Sequence, residues 1–296
     1  MNKMIFLMSI TSVMIACSNN DKDYEATGTF EATEVTVSAE GNGKLISFNV
    51  DEGNKITCGD QVGLIDTVQL ALKAKQLGAT KESFAYQRPD VEAQIAATRQ
   101  ELVKAQKEAN RQKALLKDNA GTQKQLDDAI NTVNVLKRQL EAQLSSLGNS
   151  TKSLSSQMSA TDIQRAQILD ELNKCHIISP ITGTILEKYA ECGEYAAIGK
   201  PLFKIADIDN LFLRAYITSL QLQKIKVGQK VKVMADYGDG KRKTYDGTIT
   251  WISSQSEFTP KTILTDDERA DQVYAVKIAV KNDGGIKIGM YGEVKL

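Results

Sequence analysis

The sequence predicts an α+β fold, mostly β, in which a small duplicated sandwich is split by a long antiparallel coiled-coil hairpin and followed by a C-terminal β-barrel. Three observations predict it. Gly43, Gly53 and Gly59 are echoed 140 residues later by Gly183, Gly193 and Gly199, with the same internal gaps of 10 and 6. Between the two sets, residues 67–174 contain a single proline and sustain an apolar heptad. After 206 the pattern changes to alternating strands separated by turns.

The chain opens on a targeting segment, 1–16, which takes no part in the fold. Lys3 supplies the positive charge, and the apolar run from Met4 to Ile15 is 12 residues long. A spanning helix needs about 20. The run Met14-Ile15-Ala16-Cys17 resembles a bacterial lipobox, with methionine where leucine is usual. That resemblance makes Cys17 the lipid attachment point, and several acyl chains give stable membrane anchoring. An ordinary cleaved leader with a chance cysteine is the alternative. Residues 17–28 read as a polar, acidic tether.

The glycine echo carries its flanks with it: Leu45/Ile185, Ile46/Leu186, Val62/Leu202 and Ile65/Ile205 pair apolar with apolar at the same offset. All six glycines read as turns needing positive φ, with short strands such as 44–50 between them. Each half, 29–66 and 175–206, is too small to bury a core alone, so the two pack together. Whatever lies between them must leave and return at one place. Cys58, Cys175 and Cys192 fall inside the halves. They read as buried small hydrophobes, with a Cys58–Cys192 bridge as the lesser alternative.

The insert is rich in helix formers. Positions 126, 130, 133, 137, 140, 144, 147 and onward to 172 alternate gaps of four and three, and most are apolar, including Leu126, Ile130, Val133, Leu144 and Leu172. This is a coiled-coil seam. The first arm shows a matching seam from Leu70 to Leu116, broken by Pro89, which predicts a kink near 87–90. The turn signal Asp118-Asn119-Ala120-Gly121 places the tip at about 118–122 and leaves two equal arms. At 1.5 Å per residue the hairpin reaches roughly 75 Å.

In 207–296 the strand candidates are 211–217, 231–233, 245–252, 273–280 and 292–296, with a short helix capped by Ser219 and stopped by Gly228. About six strands with one helix predict a compact barrel. The loop 253–271 is long and polar.

Lys plus Arg balances Asp plus Glu at 37 each, and no basic stripe suggests nucleic acid. One histidine, no phosphate loop and no clustered carboxylates disfavour an enzyme; no catalytic, cofactor-binding or metal-binding residue is assigned.

Leader, half module, hairpin, half module and barrel, in that order, resemble a periplasmic adaptor of the haemolysin-secretion type, a membrane fusion protein. The glycine framework is similar to the biotinyl/lipoyl fold, in Ser179-Pro180-Ile181-Thr182-Gly183-Thr184-Ile185, Gly193-Glu194-Tyr195 and Gly199-Lys200-Pro201-Leu202-Phe203. At the tip, adaptors that dock on an outer-membrane channel of the TolC type carry Arg, Leu and Ser at a spacing that Arg111, Leu115 and Thr122 reproduce, with threonine for serine. An arginine fork can hold a carboxylate or carbonyls at a channel rim, although a solvated Arg111 and a seam-flanking Leu115 fit the same pattern. The stretches Glu257-Phe258-Thr259-Pro260-Lys261, Asp267-Glu268-Arg269 and Val273-Tyr274-Ala275-Val276-Lys277 resemble the subfamily serving ABC-type exporters, with an ABC-2-like permease and an ATPase.

The resemblance implies a non-enzymatic connector: a ring of six or three copies, lipid-anchored in the periplasm of a Gram-negative bacterium, at the inner membrane in preference to the outer. Because the sequence stops at Leu296, soon after the barrel, the additional membrane-proximal domain found in some relatives is expected to be absent. The turn 190–195 reads as a surface turn, with a bore-lining turn carrying Glu194 as the alternative. Two alternatives stay open. One is a coiled-coil lipoprotein with a different partner; the other is a lipoyl or biotinyl carrier, which would present a modified lysine where this chain places its helical insert.

Overall fold

The computed structural model describes residues 25–238, 241–257 and 273–296. The leader, Cys17, Ser18 and most of the tether lie outside the described residues, as do Phe258, Thr259, Pro260, Lys261, Asp267, Glu268 and Arg269 of the long loop.

The first half supplies β1 (Ala26–Ser38), β2 (Gly43–Phe48), β3 (Lys55–Ile56) and β4 (Gln61–Ile65). The second supplies β5 (His176–Ile178), β6 (Gly183–Lys188), β7 (Tyr195–Ala196) and β8 (Pro201–Thr218). The strands interleave: one sheet joins the latter part of β1 to β8, β6 and β3, and the other runs β5-β4-β2-β7. Both sheets therefore mix the two halves, which is how two pieces too small to fold alone share one core. The pairing repeats residue for residue. Lys55 opposite Thr184 and Ile56 opposite Gly183 are matched by Tyr195 opposite Lys44 and Ala196 opposite Gly43. The bulge between Leu45 and Ser47 in the β2–β4 pair recurs between Ile185 and Glu187 in the β6–β8 pair. The turns obey the same dyad: Gly53 N–H donates to Ile185 O at 2.9 Å and Gly193 N–H to Leu45 O at 2.8 Å.

Gly53, Gly59, Gly193 and Gly199 have φ of 86, 91, 95 and 86°, the left-handed turn conformation expected of them. Gly183 differs, since it is not among the positive-φ glycines. A Cβ there would sit 2.4 Å from the carbonyl oxygen of Ala206. Its requirement is close strand approach, and the turn reading is corrected for it. At the equivalent Gly43 a Cβ would meet Ile65 Cγ2 at 2.8 Å.

The insert leaves directly from β4 and returns into β5. Its helices are α1 (Val68–Tyr86), α2 (Val91–Lys117) and α3 (Gln123–Lys174). Proline lacks the amide that would continue the ladder, so the first arm breaks around Pro89 and restarts with Asp90, whose carboxylate accepts from Ala93 N–H at 3.1 Å. The seam differs from a continuous heptad. Toward the tip, α3 turns Ala129, Leu136 and Gln143 inward, whereas Ile130 and Leu144 are 43% and 40% exposed. The inward positions run 140, 143, 147, 151 and 154, so two successive gaps of four shift the phase near Leu147.

The barrel also departs from expectation. It closes in the order β1, β12 (Tyr291–Lys295), β9 (Lys230–Asp236), β10 (Arg242–Glu257), β11 (Val273–Lys281), β8 and back to β1. The sixth strand comes from the N-terminal part of β1, where Thr27 pairs with Glu293 on one side and Tyr216 on the other. Residues 26–28 are thus strand rather than tether, and the barrel is not confined to the segment after 206. Five strands alone would leave two open edges with unpaired amides and carbonyls; the N-terminal strand seals them. Phe30, fully buried, brings the largest side chain of that strand into the barrel core. The short helix α4 (Ser219–Leu222) is capped by Thr218 rather than Ser219, with Gln221 Oε1 accepting from Thr218 N–H at 2.8 Å.

Candidate docking site at the hairpin tip

The tip is a tight turn built from backbone and caps. Helix α2 ends at Lys117, Ala120 N–H donates back to Leu115 O at 2.8 Å, and Asn119 takes φ 55°. Asparagine tolerates this conformation better than most residues. Thr122 then starts α3 with a capping box: its Oγ1 accepts from Gln125 N–H at 3.3 Å, and Gln125 Oε1 accepts from Thr122 N–H at 3.0 Å. A reciprocal cap of this kind satisfies two helix-end donors at once.

Arg111 and Leu115 are one helical turn apart on α2 and therefore share a face. The Arg111 side chain is 68% exposed and holds Glu108 at 3.0 Å. Leu115 is 36% exposed, and a Cβ at Gly121 would lie 3.3 Å from Leu115 Cβ, so the turn packs closely beneath the leucine. Of the three residues the sequence singled out, the structure presents Arg111 and Leu115 outward on one face, while the Thr122 hydroxyl is occupied within the turn.

Sequence reading missed the charge around them. Lys104, Lys107, Arg111, Lys113, Lys117 and Lys124 stand against only Glu108 and Asp118 between 104 and 124, in a chain of zero net charge, and all six are exposed. Counting charge along the arm instead of over the whole chain would have found it.

The other sequence candidates lie far along the chain from the tip. Glu194 is tied to Lys200 at 2.9 Å, and that ammonium holds its carboxyl below the ordinary value. The expectation of three buried cysteines holds for Cys175 alone. Cys58 and Cys192 are exposed free thiols, bonded respectively to Pro180 O at 3.2 Å and Ile46 O at 3.3 Å. They sit on glycine turns at the sandwich surface, which a small half module cannot cover. Burial, with Asp66 and Glu171 nearby, raises the Cys175 thiol. At the hairpin root, Lys174 is paired with Asp170 at 2.7 Å. Among the described residues, no helix is long and apolar enough to cross a membrane.

A family model described as "RND MFP, barrel-sandwich hybrid domain" matches residues 33–208, spanning the sandwich and its helical insert. The chain belongs to the membrane fusion protein family. Among relatives of this membrane fusion protein, the "UPF0194 membrane protein YbhG" of Salmonella gallinarum is 27% identical over 304 residues, covering 94% of this chain and 90% of the relative. The "UPF0194 membrane protein YE2891" of Yersinia enterocolitica is 28% identical over 286 residues, covering 89% and 86%. Among solved structures, MacA from Actinobacillus actinomycetemcomitans aligns with a TM-score of 0.55 at 22% identity, covering 91% of this chain and 76% of that one.

Proposed function

We propose that this membrane fusion protein is the periplasmic adaptor of an export system, bridging an inner-membrane ABC-type exporter, built from an ABC-2-like permease and an ATPase, to a TolC-like outer-membrane channel. The observation that carries this reading is the hairpin: its returning helix of 52 residues extends about 78 Å, and near the tip α2 presents Arg111 and Leu115 outward. The ion pair of Arg111 with Glu108 is exposed, and such pairs are worth about 0–1 kcal/mol. Exchanging Glu108 for a carboxylate on a channel rim therefore costs little, and the planar fork gains direction. Leu115 supplies an apolar knob, and Thr122 keeps the turn in shape.

In this reading six or three copies close head to tail into a ring. The sandwiches form its collar, the barrel faces the exporter, and acylated Cys17 holds the ring at the inner membrane. Within the barrel, Arg214 of β8 pairs with Glu257 at the end of β10 at 2.9 Å.

Isolation of the tagged full-length chain from membranes, with its partners identified by mass spectrometry, tests this. The wild type is expected to bring down both an outer-membrane channel and an ATPase with its permease. The double variant Arg111→Glu, Leu115→Asp should lose the channel and keep the exporter, with unchanged thermal unfolding. Retention of the channel by that variant would refute the tip assignment.

A further inference from the structure

Three features of the hairpin fall close together along its length. Lys81 pairs with Asp162 at 2.7 Å, and seven residues further along both arms Arg88 bonds Ser155 Oγ at 3.5 Å. That register brings Pro89, where the first arm has no continuous ladder, level with Leu154. The second feature is in the facing helix. Between 145 and 159, ten of fifteen residues are Ser, Thr, Asn or Gly, in a helix otherwise rich in Leu, Gln, Lys and Ala. Ser156, Ser159 and Thr161 each turn back to the carbonyl four residues earlier, at 3.1, 3.1 and 2.9 Å. Such back-bonding weakens and bends helices.

The third feature is the seam. The phase change at 143, 147 and 151 falls beside the same segment, and it places Gln143 and Thr151 inward, where Gln143 Oε1 and Thr151 Oγ1 are buried and lack a hydrogen-bond partner. A buried unpartnered acceptor favours any conformation that opens it to water. Gly148 adds a helix-weak residue with open space around it.

Helix bends trace to proline, glycine and serine, or an interrupted ladder. Here the first arm supplies the proline and the broken ladder, and α3 supplies the glycine and serines opposite and just distal to them. We propose that the hairpin contains a built-in joint, formed by residues 87–90 of one arm and 143–156 of the other, about which the distal segment carrying the tip bends relative to the segment rooted in the sandwich. The root side is held by the Lys81–Asp162 pair and by buried Ala74 and Ile168. The distal side is pinned by the inward Leu136 and Leu140 of the seam. Bending at the joint moves the tip without disturbing the collar.

Amide exchange on the full chain tests the joint. Peptides from 145–159 should exchange faster than those from both 126–140 and 160–172, an internal minimum of protection along α3. Filling the joint with Gln143→Leu, Gly148→Ala and Thr151→Leu should slow that segment roughly fivefold or more, leaving the flanks unchanged. Nitroxide labels at 75 and 104, which straddle the joint, should give a broad distance distribution that narrows in the filled variant. Labels at 124 and 141, both distal, should stay narrow in either form. Protection that falls steadily from root to tip, or a 75–104 distribution as narrow as the control, would overturn the proposal.

Discussion

In the sandwich, Leu45, Ile65, Leu202 and Ile205 are fully buried, and the turn hydrogen bonds of one half have counterparts in the other. In the hairpin, Ile95 alone among the described apolar residues is fully buried, Ala74 and Ile168 are nearly so, and two buried seam oxygens lack partners. The sandwich closes a core from two sheets, so each strand is held on its inner face and along its edges. Each helix of the hairpin has one stripe to bury. The difference separates two tasks within one insertion: a root with a single geometry, and an arm that can bend and present its end.

The largest expected effect tests whether the dyad is energetic as well as geometric. Ile65→Ala and Ile205→Ala, at equivalent fully buried positions, should each cost about 2–5 kcal/mol in denaturant unfolding, because truncation leaves a cavity. Their costs should lie close together. A large gap between them would confine the two-fold to the backbone.

Next come two glycines with opposite surroundings. Gly183→Ala drives a methyl into the Ala206 carbonyl and should destabilise the sandwich by about 1–3 kcal/mol or more. Gly148→Ala enters open space on a helix and should stabilise the hairpin by up to about 1 kcal/mol. Equal signs in the two melting curves would break the comparison.

Smaller and more local is Thr122→Ala, which removes a capping acceptor worth about 1 kcal/mol. Faster amide exchange in residues 123–126 should report it, with no change in sandwich peptides.

The smallest effect concerns the barrel. Asp283 accepts from Lys243, Gly285 N–H and Tyr245, and these donors, led by Lys243, hold its carboxyl down at about 2. The unfolded value is about 3.9. Because the folded group binds its proton less readily, its contribution is present above about pH 4 and is lost as pH falls toward 2. Asp283→Asn should therefore unfold more readily than wild type at pH 7, and the difference should vanish near pH 2. A difference that persisted there would remove Asp283 from the account.

The duplicated glycines made the sandwich legible, since five of the six positions with identical spacing have the positive φ that the spacing implied. Gly183 was legible as a glycine but not for its reason, because a close approach to Ala206 is a tertiary fact. The sixth barrel strand was hidden in the polar N-terminal stretch: Ala26 to Gly28 carry little apolar signal, and only the need to close an edge demands them. In α3 a continuous heptad enlisted Ile130 and Leu144, yet Leu136 beside Lys137 already signalled the other phase. At the tip, Arg111 and Leu115 were legible only through the resemblance to channel-docking adaptors, which supplies the spacing. The engagement of the Thr122 hydroxyl with Gln125 depends on where α3 begins, which a pattern of side chains leaves undetermined.

Photocrosslinking from the tip and from the root tests the docking account most directly. A photoreactive amino acid at position 115 should crosslink to an outer-membrane channel in intact cells, whereas the same group at position 72, an exposed leucine on the root helix, should not. Position 115 giving no channel product in a folded, membrane-attached protein, or both positions giving the same product, would contradict it.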